Sequence, residues 1–255
     1  MRAAVRARVN QLFVRYPQVG QTGYDLLRIV GLDRSTRGTR RFCKKLAQQG
    51  FDPRTIVDVG ANYGGWSRVV SGVFKNARFF LIEPQEEMRP FLDRFCQQMP
   101  GSKWFLAGAG AANGELSLTV WDDLQGSAFL RPEIQVMTPY RQQRQVPIVT
   151  LDGLIAAGEF HVPDLIKIDV QGFELEVLRG GLGCLGRSDL LIVETSFHHP
   201  LGERPTYYRV VELMEAYGYR IYDLVDLKYR AADGVLGQAD ICFVRQGSRL
   251  DAALK

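Results

Sequence analysis

The 255-residue sequence has few of the residues that build metal sites or disulfides. It contains four cysteines, none of them in a C-x-x-C pair, and three histidines. A zinc site or a disulfide framework is therefore not expected. No run of about 18 uncharged apolar residues suggests a membrane span, and the opening residues, MRAAVRARVNQLFVRY, lack the apolar segment of a secretory signal. Together these absences favour a soluble protein in the reducing cytoplasm.

Charge is distributed unevenly along the chain. Residues 1–45 carry eleven Lys and Arg against two Asp, a net charge of +9, which leaves −5 for the rest of a chain whose total is +4. Such a basic arm could contact anionic lipid at a membrane surface, a phosphate-bearing substrate or nucleic acid. A solvated helix face is the more common origin of a charge run. The rest of the chain has no basic stripe interleaved with aromatics, so there is no clear nucleic-acid signal.

The pattern of apolar residues predicts a helical N-terminal extension followed by one α/β domain. Apolar residues recur at helical spacing within the first 16 residues, and a second helix is expected through Phe42 and Leu46, ending at Gly50. We place the basic extension at residues 1–50, the main domain at 51–246 with a β insertion at 115–150, and a tail at 247–255.

From Ile56 onward, apolar strand-like runs alternate with helical patterns. This alternation predicts a doubly wound, mostly parallel sheet with helices on both faces. The third strand is expected over WFLAGAGA, and ELSLTVW, SAFL and QVPIVTL read as short antiparallel strands of the insertion. The last two strands, YRIYDLV and ADICFVR, are too close in sequence for a helical crossover and should pair antiparallel.

The segment VDVGANYGGW couples a buried strand to a glycine-rich turn. Gly60 permits a tight turn and close approach of a ligand to the backbone, and Asn62 tolerates a left-handed conformation. Because Asn62 replaces a glycine, the strict dinucleotide pattern fails. Asp58, expected to face the crevice, suits a ligand with an ammonium or sulfonium group. Glu83 ends the second strand, where an acid can accept hydrogen bonds from ribose hydroxyls.

The segments VDVGANYGGW, LIEPQEE, LDGLI, LIKIDVQGFELEVLRGG and IVET, in this order and spacing, resemble the FkbM-type methyltransferases. This branch of the class I S-adenosylmethionine-dependent enzymes is matched over roughly residues 51–245. The resemblance implies a seven-stranded Rossmann-like sheet with an antiparallel C-terminal hairpin. It also implies methyl transfer to a hydroxyl oxygen, often on a sugar, a glycan or a secondary metabolite.

The resemblance implies a set of cofactor-binding residues as well. The methionine part would be surrounded by Asp58, Gly60, Ala61, Asn62, Tyr63 and Gly64, the ribose held by Glu83 next to Pro84, and the adenine lined by Gly108 and Ala109.

Catalytic candidates follow the later strands. Asp169 ends the strand LIKID, with Lys167 on the same strand face, so the two could share the crevice or form a buried ion pair. Glu194 ends the adjacent strand, and His198 lies just beyond it. Our hypothesis is that Asp169 or His198 takes the hydroxyl proton while Glu194 orients the acceptor. Asp169 and Glu194 could also offer oxygen ligands to Mg²⁺, although the sequence holds no recognisable metal motif.

Two other functions share part of this pattern. An NAD-dependent oxidoreductase would use the same turn and a second strand that ends in an acid such as Glu83, but Asn62 and the terminal hairpin argue against it. A catalytically silent methyltransferase-like module could anchor a partner through the basic arm. The sequence names neither the methyl acceptor nor the oligomeric state.

Overall fold

A computed structural model describes residues 37–120, 129, 142–198 and 206–252 of the chain. The helix predicted for the first 16 residues and most of the segment SAFL lie outside this range. Within these residues, no helix has the length and apolarity that crossing a bilayer would require.

Seven strands form one mostly parallel sheet, which confirms the predicted fold class. The strands are β1 (Thr55–Val59), β2 (Arg78–Glu83), β3 (Lys103–Leu106), β7 (Leu165–Ile168), β8 (Leu190–Ser196), β9 (Tyr219–Tyr229) and β10 (Leu236–Arg245). Their spatial order is β3-β2-β1-β7-β8-β10-β9. β1, β7 and nearly all of β8 are buried, as expected for central parallel strands covered on both faces. The strand order reverses between β1 and β7, where such sheets bind ligands.

The C-terminal hairpin forms as predicted. β10 pairs antiparallel with both β8 and β9. Every other adjacent pair in the large sheet is parallel.

The third strand is shorter than predicted, because the chain changes sheets within WFLAGAGA. Lys103–Leu106 forms β3 of the large sheet, whereas Gly108–Ala109 forms β4 of a separate three-stranded sheet. Small residues allow this crossing: a Cβ on Gly108 would lie 2.6 Å from Phe129 and 2.7 Å from Ile148. The other strands of the small sheet are the antiparallel pair β5 (Gly114–Val120) and β6 (Gln142–Val149).

The helices lie between the strands and at both ends of the described chain. They are α1 (Arg37–Gln48), α2 (Gly65–Ser71), α3 (Arg89–Gln98), α4 (Leu151–Ala156), α5 (Glu174–Arg179), α6 (Thr206–Ala216) and α7 (Arg249–Ala252), with a short 3₁₀ helix at Glu86–Met88. α4 replaces the end of the predicted strand QVPIVTL. Thr150 caps this helix by accepting a hydrogen bond from the N–H of Gly153 at 2.9 Å.

Alternate residues of the central strands enter two separate cores. One core contains Ile56, Leu165, Ile192 and Cys242, and the other contains their strand neighbours on the opposite face. α1 adds Phe42, Cys43 and Leu46 to the first core, so this part of the predicted extension packs directly on the sheet. Each buried large aliphatic side chain contributes about 1.5–3 kcal/mol to folding.

The face that carries the first core becomes polar toward one end of the sheet. Moving two residues along each strand leads from Ile56 to Asp58, from Leu165 to Lys167, from Ile192 to Glu194 and, on antiparallel β10, from Cys242 to Asp240. Four neighbouring strands therefore bring ionisable side chains to the same end of one face of the sheet.

Candidate active site

A cavity of about 490 Å³ lies at this polar end of the strands, where the strand order reverses. It includes ten of the residues predicted for the site: Gly60, Ala61, Asn62, Tyr63, Glu83, Pro84, Gly108, Ala109, Lys167 and Asp169. Residues far apart in the chain thus meet around one space, which is of the size typical for small-molecule sites.

The glycine turn after β1 forms the floor of the cavity. Gly60 has a φ of +76°, and a Cβ there would lie only 1.8 Å from the carbonyl oxygen of Asp169. Asn62 adopts a left-handed conformation with a φ of +49°, as its residue type allows. Gly64, with a φ of +77°, is the residue directly before α2 and is not part of the cavity lining.

Glu83 ties this turn to β2. One carboxylate oxygen accepts a hydrogen bond from the N–H of Asn62 at 2.7 Å, and the other accepts from the backbone and side-chain nitrogens of Gln85. Burial raises the pKa of Glu83 to about 7, although these donors oppose the rise. A carboxylate offers about four acceptor positions, so Glu83 keeps acceptor capacity toward the cavity that it lines.

Asp58 does not face the cavity, contrary to the prediction. It is fully buried beneath the floor, where Oδ2 accepts a hydrogen bond from Ser67 Oγ at 2.6 Å. Among the described residues Oδ1 has no hydrogen-bond partner, and it lies 3.6 Å from Lys167 Nζ. Burial raises the pKa of Asp58. The difference arises because Ser67 of α2 packs over Asp58. Of the residues that line the cavity, Asp58 pairs with Lys167.

Lys167 and Asp169 both line the cavity and form an ion pair. Lys167 Nζ lies 3.1 Å from Asp169 Oδ2, and Lys167 itself is only 5% exposed. Burial alone would lower the pKa of Lys167, but Asp169 and Asp58 outweigh it and raise the pKa. For Asp169 burial is likewise outweighed by Lys167 and Lys228, which lower its pKa to about 2.

Gln171 joins Asp169 to Glu194. Its Nε2 donates to Asp169 Oδ1 at 2.8 Å and to Glu194 Oε2 at 2.7 Å. The remaining oxygen of Glu194 pairs with Lys228. Glu194 is not part of the cavity wall but lies behind Gln171, and burial raises its pKa to about 7.

Two further predictions concern His198 and a metal ion. His198 follows the end of β8, is exposed and does not line the cavity. Among the described residues, no group of three or more His, Cys, Asp and Glu side chains is arranged to hold a metal.

Sequence reasoning missed several residues of the cavity wall: Thr39, Gln171, Asp226, Lys228 and Asp240. Thr39 on α1 donates a hydrogen bond to Asp226 on β9, so the N-terminal helix closes one side of the site. For Asp240, strand alternation gave a signal, because it shares a face with Cys242. The register that sets Asp240 opposite Glu194 could not be read from the sequence.

The profile of the family described as "Methyltransferase FkbM domain" matches residues 58–221. The chain belongs to the FkbM methyltransferase family. The match begins within β1 and ends within β9. Thr39, Asp226, Lys228 and Asp240 therefore lie outside the matched segment.

Curated relatives and a solved structure are similar to the chain. Hexuronic acid methyltransferase AglP of Haloferax volcanii is 26% identical over 162 residues, covering 63% of this chain and 64% of that protein. Methyltransferase sdnD of Sordaria araneosa is 26% identical over 166 residues, covering 54% of this chain and 64% of that protein. The matched part thus spans under two thirds of either relative. The crystal structure of a methyltransferase FkbM from Methylobacillus flagellatus superposes with a TM-score of 0.48 at 17% identity, covering 74% of this chain and 43% of that one.

Proposed function

We propose that this protein is an S-adenosylmethionine-dependent O-methyltransferase that methylates a hydroxyl group of a sugar, a glycan or a secondary metabolite. The observation that carries the proposal is the cavity at the reversal of strand order. It is lined by the turn at residues 60–63, which contains two left-handed residues, and by Glu83. Family membership supports methyl transfer. The name of the relative AglP, a hexuronic acid methyltransferase, supports a sugar acceptor.

The residues present fit this methyl donor. The turn at Gly60 presents backbone to the cavity, and Glu83 retains acceptor capacity for ribose hydroxyls. Gly108 and Ala109 also line the cavity. When bound, S-adenosylmethionine supplies an electrophilic methyl group on a positively charged sulfur.

The chain's own contribution is to align the acceptor hydroxyl, exclude water and accept a proton. Alignment of reacting groups can supply up to about 7–11 kcal/mol. A general base typically adds roughly 10²–10⁴-fold in rate. The frame of Lys167, Asp169, Gln171 and Glu194 is suited to alignment, because each of its side chains is fixed by at least one other.

Donor binding tests the proposal and separates it from its alternatives. Titration calorimetry should show binding of S-adenosylmethionine and S-adenosylhomocysteine but not of NADH. Glu83→Ala should weaken donor binding roughly 10- to 100-fold, since a charged hydrogen-bond acceptor is lost. Glu87→Ala, which removes the same side chain from a position outside the cavity, is the matched control. Binding of NADH alone would indicate an oxidoreductase, and binding of neither ligand by folded protein would indicate a silent module.

The acceptor is tested with methyl-labelled S-adenosylmethionine and a panel of hexoses, hexuronic acids and their glycosides. We expect label to appear in an ether that is stable to mild base. Label in a base-labile ester would show methylation of a carboxylate and contradict O-methylation of a hydroxyl.

A further inference from the structure

Three carboxylates lie near one another on or directly after β7, β8 and β10, and two of them already have donors on both oxygens. Asp169 accepts from Gln171 on Oδ1 and from Lys167 on Oδ2. Glu194 accepts from Gln171 on Oε2 and from Lys228 on Oε1. For Asp169, whose pKa these cations lower to about 2, the result is a charged carboxylate that is a weak proton acceptor. This weakens the hypothesis that Asp169 is the base.

Asp240 differs from both of these acids. It lies on β10 directly opposite Glu194, lines the cavity and is only 7% exposed. No described residue donates a hydrogen bond to its carboxyl group. Buried polar groups normally have hydrogen-bond partners. A buried carboxyl group that borders a cavity and has no such partner is suited to bond with a ligand in the cavity.

The charged groups around Asp240 include both signs. Lys167 lies on β7 and Asp169 directly follows that strand, Glu194 lies on β8, and Asp226 and Lys228 lie on β9. Burial, followed by the charge of Asp169, raises the pKa of Asp240 to about 8, while Lys167 acts in the opposite direction. Near physiological pH such a group is a stronger base than Asp169, whose pKa is about 2.

We propose that Asp240 is the catalytic base, whose carboxylate takes the proton of the acceptor hydroxyl. This inference rests on the proposed function. The oxygen–carbon bond of the methyl ether forms as the sulfur–carbon bond of the donor breaks, and the electron pair of that bond stays on sulfur. The hydroxyl proton moves to an Asp240 oxygen and is later released to water. The frame positions the acceptor and consists, as above, of Lys167, Asp169, Gln171 and Glu194.

The first test measures the ionisation of Asp240 without turnover. In protein labelled with ¹³C at aspartate carboxyl groups, the Asp240 signal is identified by its loss in Asp240→Asn. We expect its pKa to be lower by roughly one unit with S-adenosylmethionine than with S-adenosylhomocysteine, because the two ligands differ by the sulfonium charge next to the base. Asp223 of β9, which lies outside the cavity, should not respond.

The second test measures turnover with an acceptor from the panel above. Asp240→Asn should lower kcat by roughly 10²–10⁴-fold with little change in donor affinity. The rise of the wild-type rate toward pH 8 should disappear in this variant. Asp223→Asn is the control and should retain wild-type rates.

The two proposals can fail separately. If the protein binds no S-adenosylmethionine, the proposed function is wrong. If it binds the donor but Asp240 ignores the sulfonium charge, or Asp240→Asn retains full turnover, Asp240 is not the base and the proposed function still stands.

Discussion

Replacing Gly60 by alanine should damage both the fold and the site, because this glycine lies where β1 touches the end of β7. Its φ of +76° is unfavourable for any residue with a side chain, and the added Cβ would lie 1.8 Å from the carbonyl oxygen of Asp169. The obstacle is backbone rather than the tip of a flexible side chain. This clash can be relieved only if the backbone at Asp169, a residue that lines the cavity, moves.

The magnitude has two parts. A left-handed conformation costs an alanine about 1–2 kcal/mol, and forcing extra atoms into a packed region typically costs about 1–3 kcal/mol. We expect Gly60→Ala to lower the free energy of unfolding by about 2–5 kcal/mol, or to lower Tm by roughly 4–20 °C for a chain of this length. Gly158 offers a matched control, since its φ is also +76° but no atom of the described part of the chain lies within 4 Å of a Cβ there.

Urea unfolding of both variants, combined with calorimetric titration of S-adenosylhomocysteine, checks the reasoning. Gly158→Ala should lose only the conformational part, about 1–2 kcal/mol, and bind the ligand normally. Gly60→Ala should lose more stability and bind more weakly. If Gly60→Ala were no less stable than Gly158→Ala and bound equally well, close contact between the turn and β7 would be refuted.

Three further changes probe the buried charges. Ser67→Ala removes the hydroxyl bonded to Asp58 and should cost about 1–3 kcal/mol of stability, whereas Ser71→Ala on the same helix should cost less in the same unfolding assay. Lys167→Met leaves a buried carboxylate without its cation and should cost about 3–5 kcal/mol; a loss below 1 kcal/mol would contradict the ion pair. Because the pKa of Glu83 is raised to about 7, its contribution to stability falls as pH rises from about 4.5 to 7. Glu83→Gln should reduce this fall by up to about 3 kcal/mol, and unfolding curves with unchanged pH dependence would exclude Glu83 as its source.

The fold could be predicted because its signals are local. Buried apolar runs such as Ile56–Val59, alternating with helical patterns, indicate a parallel sheet without knowledge of tertiary contacts. The crossing of the chain between two sheets at Ala107 was missed, because WFLAGAGA is continuous in its apolar character. The cause of the crossing is the packing of Gly108 against Phe129 and Ile148, which are distant in sequence.

The site could be predicted only in part, for a similar reason. Residues directly after strands, such as Asp169, are expected at the ligand edge from topology alone. Asp58 was misplaced because its cover, Ser67 on α2, depends on how that helix packs. Gln171 contacts two acids that are neighbours only in the folded sheet, so no linear pattern points to it.

The cavity combines residues from two different parts of the chain. Its turn, Glu83 and Asp169 lie within residues 58–221, the segment that matches the family. Other lining residues, Thr39 on α1 and Asp226, Lys228 and Asp240 on the hairpin, lie outside that segment. A methyl donor shared across a family requires a common set of contacts, whereas acceptors differ and require adaptable ones. We therefore expect exchanges in α1 and the hairpin to change acceptor affinity and turnover, while exchanges in the turn change donor affinity.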